Sequence, residues 1–97
     1  MITVMLRFSV AANRQEELSS FLAKAVPYYE RPGGIRVRLL QSLDSPEDFV
    51  EVVEYRDQEA HDRDRVRIET DPTMKALLEE WRRLHAGALR VETYREV

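Results

Sequence analysis

A chain of 97 residues is one domain, which on folding buries roughly 60 to 70% of the surface its unfolded form exposes, so a single layer of helices on one sheet is the scale of its core. Its 15 basic and 18 acidic side chains nearly balance, and the densest charge run, Asp62-Arg63-Asp64-Arg65, mixes both signs, which argues against nucleic acid and anionic membrane as partners. No cysteine is present, so disulfides, thiol nucleophiles and thiolate metal sites are excluded and a cytoplasmic setting is expected; no signal-like opening is seen, and no apolar run approaches the roughly 18 residues of a membrane span.

Ile2, Val4, Leu6 and Phe8 alternate with polar or mixed neighbours, which predicts a first strand with one apolar face. Asn13 and Glu16 have the spacing of a capping box, and Leu18, Phe21, Leu22, Ala25, Val26 and Tyr29 form the stripe of a helix. Pro27 removes one helical hydrogen bond, predicting a kink or a loosened last turn before Pro32-Gly33-Gly34.

Ile35, Val37, Leu39 and Leu43 read as a second strand, returned by a turn at Asp44-Ser45-Pro46-Glu47 into a third from Phe49 to Tyr55. Setting Leu43 against Phe49 places Leu39 opposite Val53 and Arg38 opposite Glu54. Asp57 caps a charged helical segment whose only aliphatics are Ala60, Val66 and Ile68, so deep burial is not expected of it. Asp71-Pro72 starts a second, amphipathic helix with Met74, Leu77, Leu78, Trp81 and Leu84 on one face, closed by Gly87. Leu89, Val91 and Thr93 alternate in a closing strand.

The order β-α-β-β-α-β predicts an α+β, ferredoxin-like fold over residues 1–97: a four-stranded antiparallel sheet with its helices on one face. The other face would carry Met5, Leu40, Val50, Val52 and Tyr94, fringed by Arg7, Arg38, Glu54, Arg90 and Glu92. An apolar strip of that kind marks an interface, and a homodimer through the helix-free sheet face is the expectation.

At Val26-Pro27-Tyr28-Tyr29-Glu30-Arg31-Pro32-Gly33-Gly34, and again at Tyr55 through Ala60 to Asp71-Pro72 and Lys75-Ala76-Leu77-Leu78, the chain resembles the dimeric α/β barrel superfamily. The spacing from Tyr55 to Asp71-Pro72 is most similar to NIPSNAP-type domains, with antibiotic biosynthesis monooxygenase domains the nearest relatives. The resemblance implies a homodimer with a pocket in each protomer between the sheet and its own helices. It also implies oxygenation of polycyclic phenols without metal or flavin, or haem degradation, as family chemistries. Alignment sets the haem-degrading asparagine, tryptophan and histidine on Arg7, Asp64 and Leu78, and the monooxygenase-like helix histidine on Asp64, so neither active site transfers.

Among the residues themselves, Glu51 is the most informative, because the pleat turns it with Gln41 toward the helix-covered face among Phe49, Val53 and Tyr55. A carboxylate desolvated there suits proton transfer, whereas near a strand end it would simply reach water or an arginine. His61, four residues before Arg65, is a candidate base or hydrogen-bond donor, or a surface histidine. His85 ends the second helix, where a cation suits the dipole. Trp81 belongs to the core stripe and could also stack on a ligand.

The expected pocket lies between Gln41, Glu51 and Tyr55 on the sheet and the poorly apolar Ala60 to Ile68 helix, with Trp81 beside it and His61 and Arg65 orienting a ligand. The candidate catalytic residues are Glu51 and His61; Gln41, Tyr55, Arg65 and Trp81 would bind substrate. No metal or cofactor motif is present. Two functions follow: a cofactor-independent monooxygenase or isomerase acting on an apolar or aromatic metabolite, or a non-catalytic module that binds such a ligand.

Overall fold

The first apolar alternation becomes strand β1 (Ile2–Ser9) in the computed structural model, which describes residues 1–97. A 3-10 turn at Ala12–Arg14 leads into α1 (Gln15–Glu30), followed by β2 (Ile35–Gln41), β3 (Asp48–Tyr55), α2 (Gln58–Thr70), α3 (Pro72–Leu84) and β4 (Ala86–Arg95). The strands form one antiparallel sheet in the order β2-β3-β1-β4, which is the ferredoxin-like arrangement.

The hairpin register differs from the sequence expectation by two residues. Gln41, not Leu43, lies opposite Phe49, Leu39 faces Glu51, and Arg38 faces Val52. Leu43 is left in the turn, 97% exposed, because Ser42 already turns back: its amide donates to the Asp48 carbonyl and its hydroxyl accepts from the Ser45 amide. An even slip preserves the face of every side chain, so Glu51 still points at the helices. Arg38 still meets Glu54, at 2.8 Å, but diagonally across the pair.

The capping box is absent. Arg14 is the N-cap of α1 without a side-chain bond, the Ala12 amide donates to Glu47 Oε2, and Gln15 donates to the Val10 and Pro46 carbonyls. Pro27 does not end α1; only the terminal bond, from the Arg31 amide to the Tyr28 carbonyl, is of the tighter i to i+3 type. Gly33 and Gly34 both have positive φ, at 82° and 73°, which makes the sharp reversal into β2. Asp57 and Asp71 cap α2 and α3 by accepting from the Ala60 and Thr73 amides, and Pro72 occupies the first turn of α3.

Gly87, expected as the helix stop, sits inside β4 with φ 76°, where the β1–β4 register slips between Arg7 and Ser9. His85 tucks against Trp81 and Phe8, with ring centroids 4.6 and 5.6 Å away, and burial lowers its pKa, which works against the cation expected at the helix end.

Leu18, Phe21, Ala25, Leu77, Trp81 and Leu84 close over Phe8 and Phe49 as the main core. A second, smaller cluster of Ile2, Ile35, Tyr55 and Ala60 lies toward the other end of the sheet. No helix covers the outer part of β4, where Val91 is 55% exposed.

Candidate functional site

Between those two clusters the helical layer fails to seal the sheet. The α2 segment presents Ala60, Asp64, Arg67 and Ile68 inward at positions i, i+4, i+7 and i+8, and two of those four are charged. What remains is a cavity of about 140 Å³, walled by Val4, Leu6, Val37 and Val53 of the sheet and closed by Tyr29, Met74, Leu78 and Trp81 of α1 and α3. Glu51, Tyr55 and Asp64 supply most of its polar atoms.

Glu51 is 6% exposed, opposite Leu6 on one neighbouring strand and Leu39 on the other. With no cation near it, burial alone pushes its pKa up to about 7. Its Oε1 is buried without a hydrogen-bond partner. The Tyr55 hydroxyl donates to Asp64 Oδ2 at 2.5 Å, the length of a phenol to carboxylate hydrogen bond. Burial first, and then that bond, push the Tyr55 phenol above its ordinary value; burial and the neighbouring Glu51 do the same to Tyr29.

Asp64 is 8% exposed, a deep burial that the charged pattern of its helix does not predict. It is tolerated because Tyr55 satisfies one oxygen and Arg67 stands 3.5 Å from the other. Arg67 in turn donates to the Tyr28 and Tyr29 carbonyls in the last turn of α1, and its guanidinium lies over the Tyr28 ring. Tyr28 donates its hydroxyl to Asp71 at the α2–α3 junction. The back of the cavity is therefore pinned to both helix ends.

Three of the six sequence-named residues, Glu51, Tyr55 and Trp81, meet at the cavity. The other three lie elsewhere. Gln41 is exposed at the far end of β2, where its amide donates to the Pro46 carbonyl and Gln15 Oε1. Arg65 is on the outward face of α2, one residue round from Asp64. His61 packs its ring edge-on against Tyr55, with centroids 5.0 Å apart, and its Nδ1 lies 3.6 Å from Asp62, outside the cavity wall. The reading missed Asp64, Tyr29 and Leu78; the available signal was an aspartate in phase with Ala60 and Ile68 on an otherwise charged helix.

Glu51 Oε1 and Trp81 Nε1 are buried without a hydrogen-bond partner, and Asp64 Oδ1 has only the Arg67 guanidinium, 3.5 Å away. No three His, Asp or Glu side chains converge as they would around a metal ion, and no helix is long and apolar enough to cross a membrane.

Solved structures share this architecture along nearly the whole chain. A conserved protein from Methanosarcina mazei Go1 superposes with a TM-score of 0.82 at 18% identity, covering 99% of this chain and 92% of that one. Rv0793 from Mycobacterium tuberculosis gives 0.76 at 20% identity, with coverage of 99% and 94%. A variant of SnoaB, a cofactor-independent oxygenase from Streptomyces nogalater, gives 0.74 at 23% identity, with the same coverage. No curated protein matches the sequence. The NIPSNAP-like spacing from Tyr55 to Asp71-Pro72 runs past the end of the segment in which a family is matched, residues 1–65, and that match is to antibiotic biosynthesis monooxygenases. With two thirds of its length matched and its sheet, helices and cavity in place, the chain belongs to the antibiotic biosynthesis monooxygenase family, on the ferredoxin-like dimeric α/β barrel fold.

Proposed function

We propose that the protein is an enzyme that removes a proton from a small apolar or aromatic molecule held in the sheet-to-helix cavity, with Glu51 as the base. The observation that carries this reading is a buried carboxylate with a free oxygen and a pKa near 7, set in an otherwise apolar wall. Such a group is populated in both protonation states near neutral pH, which is what general acid–base work requires. Once the proton is on Glu51, the substrate anion either takes a proton back at a different atom, an isomerisation, or gives electrons to dioxygen, a cofactor-independent oxygenation. Family membership and the likeness to an oxygenase support the second outcome.

The working unit in this proposal is a homodimer in the cytoplasm, joined through the helix-free sheet face. Leu40 and Tyr94 there are about half exposed, at 49% and 51%. The charges around them are already paired within the chain, Arg38 with Glu54 and Arg7 with Glu92 at 2.8 and 2.5 Å, so a second copy would bury no orphaned ion. Sedimentation equilibrium should show a dimer that Leu40→Arg dissociates.

The test of chemistry is a thermal-shift screen of small phenols and enolisable ring compounds, followed by turnover and oxygen-uptake assays on each hit. Glu51→Gln should keep binding and lower turnover by roughly 10²- to 10⁴-fold. Turnover in the wild type should rise with pH through about 7. Hits that bind wild type without reaction would establish the non-catalytic module instead.

A further inference from the structure

Removing a proton from a molecule in the cavity leaves its electron pair behind as an anion, and on the reading of Glu51 as the base that anion needs a hydrogen-bond donor. No cation reaches it: Arg67 stands behind Asp64, 3.5 Å from Oδ1, and donates to the Tyr28 and Tyr29 carbonyls. Apart from the proton taken by Glu51, the lining side chains that carry an O–H or N–H are Tyr29, Tyr55 and Trp81. Trp81 Nε1 is sealed inside the protein, and the Tyr55 hydroxyl is committed to Asp64 Oδ2 at 2.5 Å. Tyr29 is the donor that remains.

The four tyrosines divide in the same way. Three hydroxyls donate to a carboxylate, Tyr28 to Asp71, Tyr55 to Asp64 and Tyr94 to Glu92. The Tyr29 hydroxyl has no partner in the protein and, unlike Glu51 Oε1 and Trp81 Nε1, is not sealed from solvent. Its ring lines the cavity from the last turn of α1, where Arg67 holds its carbonyl at 3.0 Å, so the residue is anchored while its O–H stays free. Glu51 is the charge that most raises the Tyr29 pKa, which sets the hydroxyl on the side of the base. Burial, the larger cause of that rise, keeps the phenol protonated and therefore a donor.

We propose that Tyr29 is a second catalytic residue, whose O–H donates a hydrogen bond to the ligand oxygen on which negative charge collects when Glu51 takes the proton. The C–H or O–H bond of the ligand breaks, its proton goes to Glu51, its electron pair is shared onto the carbonyl or phenol oxygen, and the Tyr29 proton stays on Tyr29. The same contact serves isomerisation and oxygenation, since both pass through the anion.

The experiment uses 3,4-dinitrophenol, an acidic phenol whose colour reports its ionisation, and 1,2-dinitrobenzene, the same ring without the hydroxyl. Both are titrated into wild type and Tyr29→Phe about one pH unit below the Glu51 pKa of about 7, where Glu51 carries its proton and the phenol is largely anionic. Tyr29→Phe should weaken the phenolate about 10- to 100-fold, the loss of one hydrogen bond to a charged group, and leave the dinitrobenzene unchanged. On any substrate from the screen it should lower kcat about 10²-fold with little change in KM. Its denaturant midpoint should match wild type, because no bond within the protein is lost, whereas Tyr55→Phe should fall below it.

Equal weakening of both probes would make Tyr29 a plain wall residue, and no weakening of either would put its hydroxyl out of reach; both results overturn the assignment. A lowered midpoint for Tyr29→Phe would overturn it too, by showing that the hydroxyl is already paired. Loss of turnover in Glu51→Gln with none in Tyr29→Phe would keep the base and reject the donor. The phenolate result with Glu51→Gln still active would keep the donor and reject the base. Failure of both probes to bind wild type would remove the cavity as a ligand site and both readings with it.

Discussion

The two ends of the helix-covered sheet face are built to opposite specifications. At one end Phe8 and Phe49 lie under Phe21, Leu77, Trp81 and Leu84, with the Phe8 and Trp81 rings edge-on at 5.2 Å and the His85 ring packed against both. At the other, α2 offers Ala60, Asp64 and Ile68 to Glu51 and Tyr55, and a cavity persists. The difference lies in the helices, because the sheet beneath them is apolar along nearly its whole length. An amphipathic helix seals; a charged one held down by capping and a single buried ion leaves space. Stability rests mainly on α3, while the cavity is lined by both helices, Asp64 and Ile68 from α2 and Met74, Leu78 and Trp81 from α3.

The sharpest break of that contrast is a truncation at the sealed end. Leu77→Ala should cost about 2 to 5 kcal/mol, read from the denaturant midpoint, because it opens a new cavity in a packed core. Leu78→Ala, one residue along but facing the existing cavity, should cost less than half as much. Equal losses would mean that both ends are packed alike.

Next in size is the pH dependence of the open end. Glu51 titrates at about 7 in the fold against 4.5 as an ordinary glutamate, so the folded state holds the proton more tightly. Stability from this group is therefore full below about pH 4.5, falls as pH rises toward 7, and is flat above, a loss of roughly 3 kcal/mol. Glu51→Gln should lack that decline, so the difference in unfolding free energy between variant and wild type should move in favour of the variant between pH 5 and pH 8. A constant difference would show that Glu51 is solvated.

Asp64→Ala should destabilise by about 1 to 3 kcal/mol, since it leaves the buried Tyr55 hydroxyl without its acceptor; Asp64→Asn should recover part of this. A near-neutral Asp64→Ala, the result anticipated when α2 is read as a solvated helix, would place the aspartate outside. The smallest effect belongs to Arg65→Ala on the outward face, within about 0.5 kcal/mol of wild type and without effect on ligand shifts.

Period and punctuation made much of this legible from the chain alone. Alternation in Ile2–Phe8 and Phe49–Tyr55, the stripe from Met74 to Leu84 and the caps at Asp57 and Asp71 are local features, set by neighbours a few residues apart. Even the orientation of Glu51 followed, because the pleat has a period of two and an error of two residues in the hairpin register leaves every face unchanged. The starting residue of α1 and the bulge at Gly87 escaped, since Glu47 supplies the acceptor for the Ala12 amide and β1 sets the slip in β4.

Which residues line the cavity is decided only by tertiary structure. Whether an aspartate on a charged helix is solvated or buried depends on what stands opposite it, and for Asp64 that is a tyrosine hydroxyl nine residues earlier and an arginine locked to the end of α1. Gln41 and His61 lie outside the cavity for the same reason: a correct strand or helix assignment says which face a side chain joins, but how far along that face the covering helices reach is fixed by packing between elements distant in sequence. Local periodicity determines faces; the place where two faces fail to close is a property of the assembled layers.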